Sequence, residues 1–462
     1  MMTIVDAASR PIHGGSELAA PKALPLLGHL PAIRRDPLAF FTRTAYEYGD
    51  IVPIRLGLER VLMVNRPEYV GHILQSNFRN YRKSDYYHRV QPIFGESMLM
   101  QEGEAWLKLR RTAQPAFHGP RIRAMSAGVL EVTDAFLARW RANGGEGHVC
   151  ELNQEMMRLA LDIVFRILLQ VRLGDRFEQV FRALGTVLRE AERRVWTLTT
   201  LTHRLPGKRK REFEKALALL DGVVAEIVGA RRQATDPHDD LLALLMAAYD
   251  DPASPQASAR QLRDEVLTFL IGGHETTAAG LAWTMHLLSV HPEAMRRLRE
   301  EIDTVLAGRA PSYADLANLP YAAAVFLETL RLYPPVWTLS RTALGDDVLG
   351  SHEVAAGSTV MLCAYAMHRN PRYWPEPERF VPERFLPENA KDRQGYTYFP
   401  FSGGPRACIG GRLAQIEATM ILARIAQDFH IETLPDQAIA PEPTITLRPR
   451  HGIHARIVPR QT

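Results

Sequence analysis

The stretch Phe401-Ser402-Gly403-Gly404-Pro405-Arg406-Ala407-Cys408-Ile409-Gly410 decides how the rest of this chain is read. One cysteine stands between a glycine-rich turn and a helical pattern. Leu413, Ile416, Met420 and Ile421 recur at helical spacing and give one apolar face. The spacing predicts a helix that starts near Cys408, so that unpaired N–H groups and the helix dipole favour a thiolate. Gly403, Gly404 and Gly410 permit backbone approaches that a Cβ would block. Arg406 offers a charge to a carboxylate, and Phe401 an apolar shield for the sulfur. A cysteine that only packed would need neither the glycines nor the arginine.

Composition sets the frame around this motif. The chain has 462 residues, 46% hydrophobic and 23% charged, an ordinary globular balance. A net charge of +4 is too weak to argue for nucleic acid. Three cysteines, Cys150, Cys363 and Cys408, are too few and too far apart for a disulfide framework or a zinc site. A reducing cytoplasm fits them. Residues 1–22 lack the apolar stretch of a signal peptide. The longest apolar run, Leu241 to Tyr249, is far short of the roughly 20 residues that span a bilayer. No linker interrupts the interior, so the expectation is a flexible arm over 1–20 and a single domain over 21–462.

Along the chain, a helix is expected over Pro37 to Tyr48. Two strand-like runs follow, Ile51 to Leu56 and Arg60 to Val64, split by Gly57. They read as a hairpin whose first strand Pro53 confines to a sheet edge. Residues 102–306 are mostly helical in pattern, with breaks at Pro206-Gly207 and between Pro252 and Pro255. Strand signals return over 340–365, and 370–400 is Pro-rich and irregular. Thr444 to Leu447 reads as a short strand. The fold class is mainly α with a small β part.

Two further motifs stand out. Glu328 and Arg331 share one face of an apolar helix that Pro334 and Pro335 terminate. A buried pair of this kind must be well hydrogen-bonded to be tolerated. Gly272-Gly273-His274-Glu275-Thr276-Thr277 lies midway in a helical pattern over 263–290. Each glycine costs roughly 1 kcal/mol relative to alanine there. The local rule is broken where a ligand could approach the backbone.

The cysteine stretch resembles the heme-binding signature Phe-x-x-Gly-x-Arg-x-Cys-x-Gly of the cytochrome P-450 family, matching at Phe401, Gly404, Arg406, Cys408 and Gly410. The resemblance runs from about Pro21 to Pro459. It implies the family's triangular helical fold around a b-type heme, with the Cys408 thiolate as the iron ligand. The family's Glu-x-x-Arg motif is joined by an arginine from a later Pro-Glu-Arg-Phe segment. Here that implies a structural lock of Glu328, Arg331 and Arg384. The Gly272–Thr277 run resembles the family's distal-helix motif, which implies that Glu275 and Thr276 are the acid–alcohol pair relaying protons during dioxygen activation. Gly272 leaves room for substrate, and His274 sits at the motif's variable position, facing away. Trp106 and Arg110 match the family's Trp-x-x-x-Arg, and Arg341 stands where the family often carries an arginine. All three are implied partners of the heme propionates.

The implied activity is that of a heme-thiolate monooxygenase, an oxidoreductase inserting one atom of O2 into a lipophilic small molecule. No flavin or iron–sulfur segment follows the heme domain, so a separate ferredoxin or flavodoxin with its NAD(P)H reductase is expected. Lys108, Arg111 and Arg412 are candidates to steer it. The family's substrate-contacting regions map loosely to Tyr86–Leu99, Arg194–Leu205, Thr268–Thr276, Val336–Leu339 and Thr444–Leu447. They nominate Ile93, Phe269, Val336, Trp337, Leu339 and Ile445 as an apolar wall. Terpenoid, fatty acid and polyketide substrates all stay open. So do a rearranging or dehydrating enzyme on the same fold and a non-enzymatic heme-thiolate sensor.

Overall fold

Helices dominate the molecule and its sheets are small, as the patterning predicts. The computed structural model describes residues 18–142, 147–196, 207–235, 240–249 and 254–460. Most of the expected N-terminal arm, Pro206, Pro252 and the 197–205 part of one expected substrate region lie outside the described residues. Two compact units emerge: residues 1–85 with 328–408, and residues 86–327 with 409–462.

The first unit is built on a five-stranded sheet. Its strand order is Ile51–Leu56, Glu59–Val64, Thr359–Leu362, Leu339–Ala343, Tyr81–Lys83. The first two strands form the expected hairpin, with Ile51 opposite Val64. Pro53 lies on the edge strand, where its missing N–H breaks no ladder. Gly57 makes the turn with φ +68. Ile54, Val61, Met63 and Val360 are fully buried. The Pro37–Glu47 helix is capped by the Asp36 carboxylate, which accepts from Ala39 N at 2.9 Å. The Pro-rich stretch carries only short helical turns, Pro382–Phe385 and Pro387–Ala390.

The second unit centres on a 36-residue helix, Pro255–Val290, here the long helix. Most of its residues are buried, and it packs against the Leu152–Ile163 helix. The strand His148–Glu151 was not expected within the helical stretch. It is four residues long and pairs with His454–Pro459, some 300 positions away. Its last residue, Glu151, caps the next helix by accepting from Asn153 N and Gln154 N, each at 2.9 Å.

Thr444 to Leu447 is not a strand. Pro441–Pro443 and Leu447–Pro449 are the strands, and 444–446 is the turn between them. The cause is local: Thr444 donates to the Thr446 carbonyl through both its N–H (3.0 Å) and its hydroxyl (2.7 Å), which reverses the chain. The final helix also starts later than expected, at Gly411.

Candidate active site

In the first unit the Cys408 loop is closed by its own backbone. Cys408 N donates to Phe401 O at 2.9 Å, and Ala407 N to Gly404 O at 3.0 Å. Cys408 therefore precedes the helix that begins at Gly411 and is not its first turn. The thiol is held by a backbone-bridged loop, which corrects the expected helix-terminus placement. Gly404 has φ +64, and a Cβ there would lie 1.9 Å from Leu74 O. No other residue fits that position. Phe401 and Arg406 are half-buried on the same loop, and Cys408 is exposed.

The other two cysteines differ from it. Burial pushes the Cys363 and Cys150 thiols up to about 12, so neither ionises near neutrality. Among the described residues no group of three or more His, Cys, Asp or Glu is arranged to hold a metal ion. A lone exposed thiol on a rigid loop suits a metal that arrives with its other ligands already supplied by a macrocycle.

Behind this loop in sequence, Glu328 and Arg331 are both fully buried. Arg331 donates Nε to Glu328 Oε2 at 2.7 Å and a terminal nitrogen to Oε1 at 2.8 Å, a two-pronged pair. Its remaining donors reach the carbonyls of His368, Pro377 and Arg379 at 2.9, 2.6 and 2.9 Å. Glu328 also accepts from Val381 N at 2.8 Å. Arg384 approaches Glu328 at 3.5 Å and adds charge at longer range. The sequence named all three side chains but not the backbone groups that complete the pair. His368, also missed, is fully buried, and its Nε2 accepts from Phe399 N at 2.9 Å. Burial keeps that imidazole neutral, as an acceptor must be. Arg341 lies buried on the Leu339–Ala343 strand and donates to Ser340 O. Leu339 and Val336 belong to this unit's apolar core, and the Trp337 ring packs 6.0 Å from Phe41.

In the second unit, Trp106 and Arg110 lie one turn apart on the Gly103–Ala113 helix, the tryptophan buried. On the long helix, Thr268, Gly272 and Thr276 form an accessible stripe at four-residue spacing among buried neighbours. The two glycines have different reasons to exist. A Cβ on Gly273 would lie 2.9 Å from Val164 Cγ2, whereas one on Gly272 would meet nothing within 4 Å. Thr276 donates its hydroxyl to Gly272 O at 2.6 Å, and the oxygen keeps lone pairs to accept with. Phe269 stacks on Phe117 at 5.8 Å. Ile93 is fully buried on the Gln91–Phe94 helix, and Ile445 is half-buried at the hairpin turn. Gly410 caps the final helix.

Glu275 is 6% exposed, and burial pushes its carboxyl up to about 7. Thr446 opposes this by donating its hydroxyl to Glu275 Oε1 at 2.8 Å. The Glu192 carboxylate raises the value further and Arg448 lowers it. Arg448 pairs with Glu192 at 2.7 Å and with Glu442 at 3.3 Å. Reading the sequence missed Thr446, Glu192 and Arg448; none carries a local pattern. His274 is fully buried next to Phe181, and burial drops its imidazole to about 4.

Comparison with known proteins agrees with this chemistry. Residues 18–454 match the family model described as cytochrome P450. The chain is 35% identical over 417 residues to cyclooctat-9-en-7-ol 5-monooxygenase of Streptomyces melanosporofaciens, covering 90% of each protein. It is 34% identical to cyclooctatin synthase of the same organism, covering 93% of each. It is 31% identical to pentalenene oxygenase of Streptomyces avermitilis, covering 96% of this chain and 97% of that one. A match that runs through both units and includes the cysteine loop makes the chain a member of the cytochrome P450 family, a heme-thiolate monooxygenase that uses O2 and an external electron donor.

Proposed function

We propose that this monooxygenase hydroxylates a cyclic terpenoid hydrocarbon or its alcohol. The observation that carries the reading is the long helix. A buried carboxyl poised near neutrality immediately precedes Thr276 on a stripe kept open by Gly272. The names of the relatives, a cyclooctat-9-en-7-ol 5-monooxygenase and a pentalenene oxygenase, point to the substrate class. We read residues 21–462 as one heme domain, which the unbroken family match supports.

The cofactor is b-type heme, whose iron supplies the oxygen-activating chemistry once bound. Cys408 ligates it, with Phe401 shielding the sulfur and Gly410 keeping the following turn slim. Trp106, Arg110, Arg341 and Arg406 take the propionates, where arginine's fork suits a carboxylate. Glu275 holds a proton on Oε2 while Oε1 stays bound to Thr446, and passes it toward Thr276 Oγ1. A carboxyl near 7 can both hold and release a proton at working pH. Glu328, Arg331 and Arg384 are structural. Ile93, Phe269, Val336, Trp337, Leu339 and Ile445 are assigned to the apolar wall.

Electrons come from a ferredoxin or flavodoxin with its NAD(P)H reductase, steered by the exposed Lys108, Arg111 and Arg412. Three sparse, widely spaced cysteines suit a reducing cytoplasm. No helix among the described residues is long and apolar enough to cross a membrane.

The test is turnover with a ferredoxin pair and cyclic terpenes under isotopically labelled O2. One label per product molecule is expected. NAD(P)H consumption that no ligand stimulates would favour a sensor. Cys408→Ser is expected to move the reduced-CO Soret band away from its thiolate-ligated position; an unmoved band removes the ligand assignment.

A further inference from the structure

Two consecutive carboxylates on the long helix, Asp264 and Glu265, are 3% and 1% exposed. Each accepts a backbone N–H from the segment after the Gln91–Phe94 helix. Glu96 N donates to Asp264 Oδ2 and Met98 N to Glu265 Oε1, both at 2.8 Å. Gly95 has φ +54, and a Cβ on it would lie 1.9 Å from Asp264 Oδ2, so only glycine lets the segment sit this close. Arg263 ties the arrangement to a third element. It donates to Ile93 O and Asp264 Oδ1, each at 2.8 Å, and to Asp221 Oδ1 on the Lys208–Gln233 helix at 2.7 Å. Gln261 adds a bond to Glu265 Oε1 at 3.1 Å.

Residues 95–101 form turns with no strand partner. Their own turn bonds, such as Gly95 N to Gln91 O at 2.7 Å and Met100 N to Ser97 O at 2.8 Å, shape the local bends, and the side chain to backbone bonds fix where the segment sits against the long helix. Burying two adjacent carboxylates costs free energy, even when each is hydrogen-bonded. Burial pushes the Glu265 carboxyl up to about 7, and the neighbouring Asp264 adds to the rise. A neutral apolar contact could have packed the segment at lower cost. What the carboxylates add is a fixed position for particular amides, and so for Ile93 at the segment's start.

We propose that Arg263, Asp264 and Glu265 form a latch that positions residues 91–98, and with them Ile93, as a wall of the substrate chamber, so that they set which lipophilic ligands the site admits. They are positioning residues, acting through the segment they hold. The inference rests on the reading above that Ile93 belongs to the substrate wall.

The experiment combines amide hydrogen exchange with azole binding in the heme-loaded protein. Variants are Glu265→Ala and the conservative Glu265→Gln, which keeps an acceptor for Met98. In wild type the Met98 and Glu96 amides exchange slowly. In Glu265→Ala, Met98 exchange rises about tenfold or more, the effect of one lost hydrogen bond to a charged group. Imidazole and clotrimazole then probe a small and a bulky ligand by their Soret shifts. Glu265→Ala changes the clotrimazole to imidazole affinity ratio at least about fivefold, and Glu265→Gln returns both readouts toward wild type. Rapid Met98 exchange in wild type overturns the latch even if Glu265→Ala does not fold. So does an unchanged affinity ratio in a variant whose exchange has risen. If clotrimazole leaves the wild-type spectrum unshifted, the active-site reading itself has failed.

Discussion

Glu275 shows how far one residue's chemistry depends on neighbours that its own segment does not contain. Its carboxyl stands near 7 because burial, with Glu192, outweighs the Thr446 hydroxyl and Arg448. A hydroxyl donating to a carboxylate stabilises the charged form. Thr446→Val should therefore raise the Glu275 value further, by about one pH unit, the worth of one hydrogen bond at 1.36 kcal/mol per unit. The carboxyl band that Glu275→Gln abolishes in infrared titration measures this. Product formed per NAD(P)H should fall on the alkaline side in wild type as Glu275 loses its proton; in Glu275→Gln it should be low without that pH dependence, and Thr446→Ser should restore the wild-type titration. A Val variant that titrates like wild type would separate Thr446 from the acid.

At the scale of elements, similar residues in one motif carry different loads. Gly273→Ala forces a methyl against Val164 and should cost about 1–3 kcal/mol in urea unfolding. Gly272→Ala meets open space and should gain up to about 1 kcal/mol from helix propensity, while narrowing the ligands accepted. The Glu328–Arg331 pair behaves likewise. Arg331→Lys has three donors for five buried hydrogen bonds, so it strips at least two acceptors of their partner and should cost about 3–5 kcal/mol, with loss of heme on purification. Arg384→Lys, with one charge contact at 3.5 Å, should cost within about 1 kcal/mol. Guanidinium melts of the two variants settle the order. The long helix, the Glu-x-x-Arg pair and the first hairpin were legible because each is a contiguous pattern of the right period. The Thr444–Leu447 segment was not. Its β-branched residues signal a strand, and two hydrogen bonds to one carbonyl make it a turn.

For the whole molecule, buried titratable groups set the pH dependence of stability. Glu275 and Glu265 stand near 7 and Glu417 near 8, against an ordinary 4.5, all through burial first. Above 4.5 the unfolded chain releases these protons while the folded chain keeps them, so they lower stability as pH rises toward 8. His274 and His286 stand near 4 and His368 well below 6.5, again through burial. Below 6.5 the unfolded chain takes protons that the folded chain refuses, so they lower stability as pH falls. The two sets oppose each other between about 4.5 and 6.5. Thermal melts should therefore show a plateau near pH 5–6.5 and a decline toward pH 8, with a slope of up to about 1.4 kcal/mol per pH unit for each group. Glu417→Gln should remove most of the decline between pH 7 and 8. By itself the sequence determined the mainly helical class and the Glu328–Arg331 pair, and it nominated Cys408, Glu275 and Thr276 for the site, because these readings depend on residues within a few positions of each other. Only the tertiary structure decided that Thr446 holds Glu275, that Asp264 and Glu265 hold the segment after Ile93, and that Cys408 is fixed by a backbone loop and not a helix end. Those contacts join residues up to 171 positions apart, and a partner that distant leaves no periodic trace in the sequence around either residue.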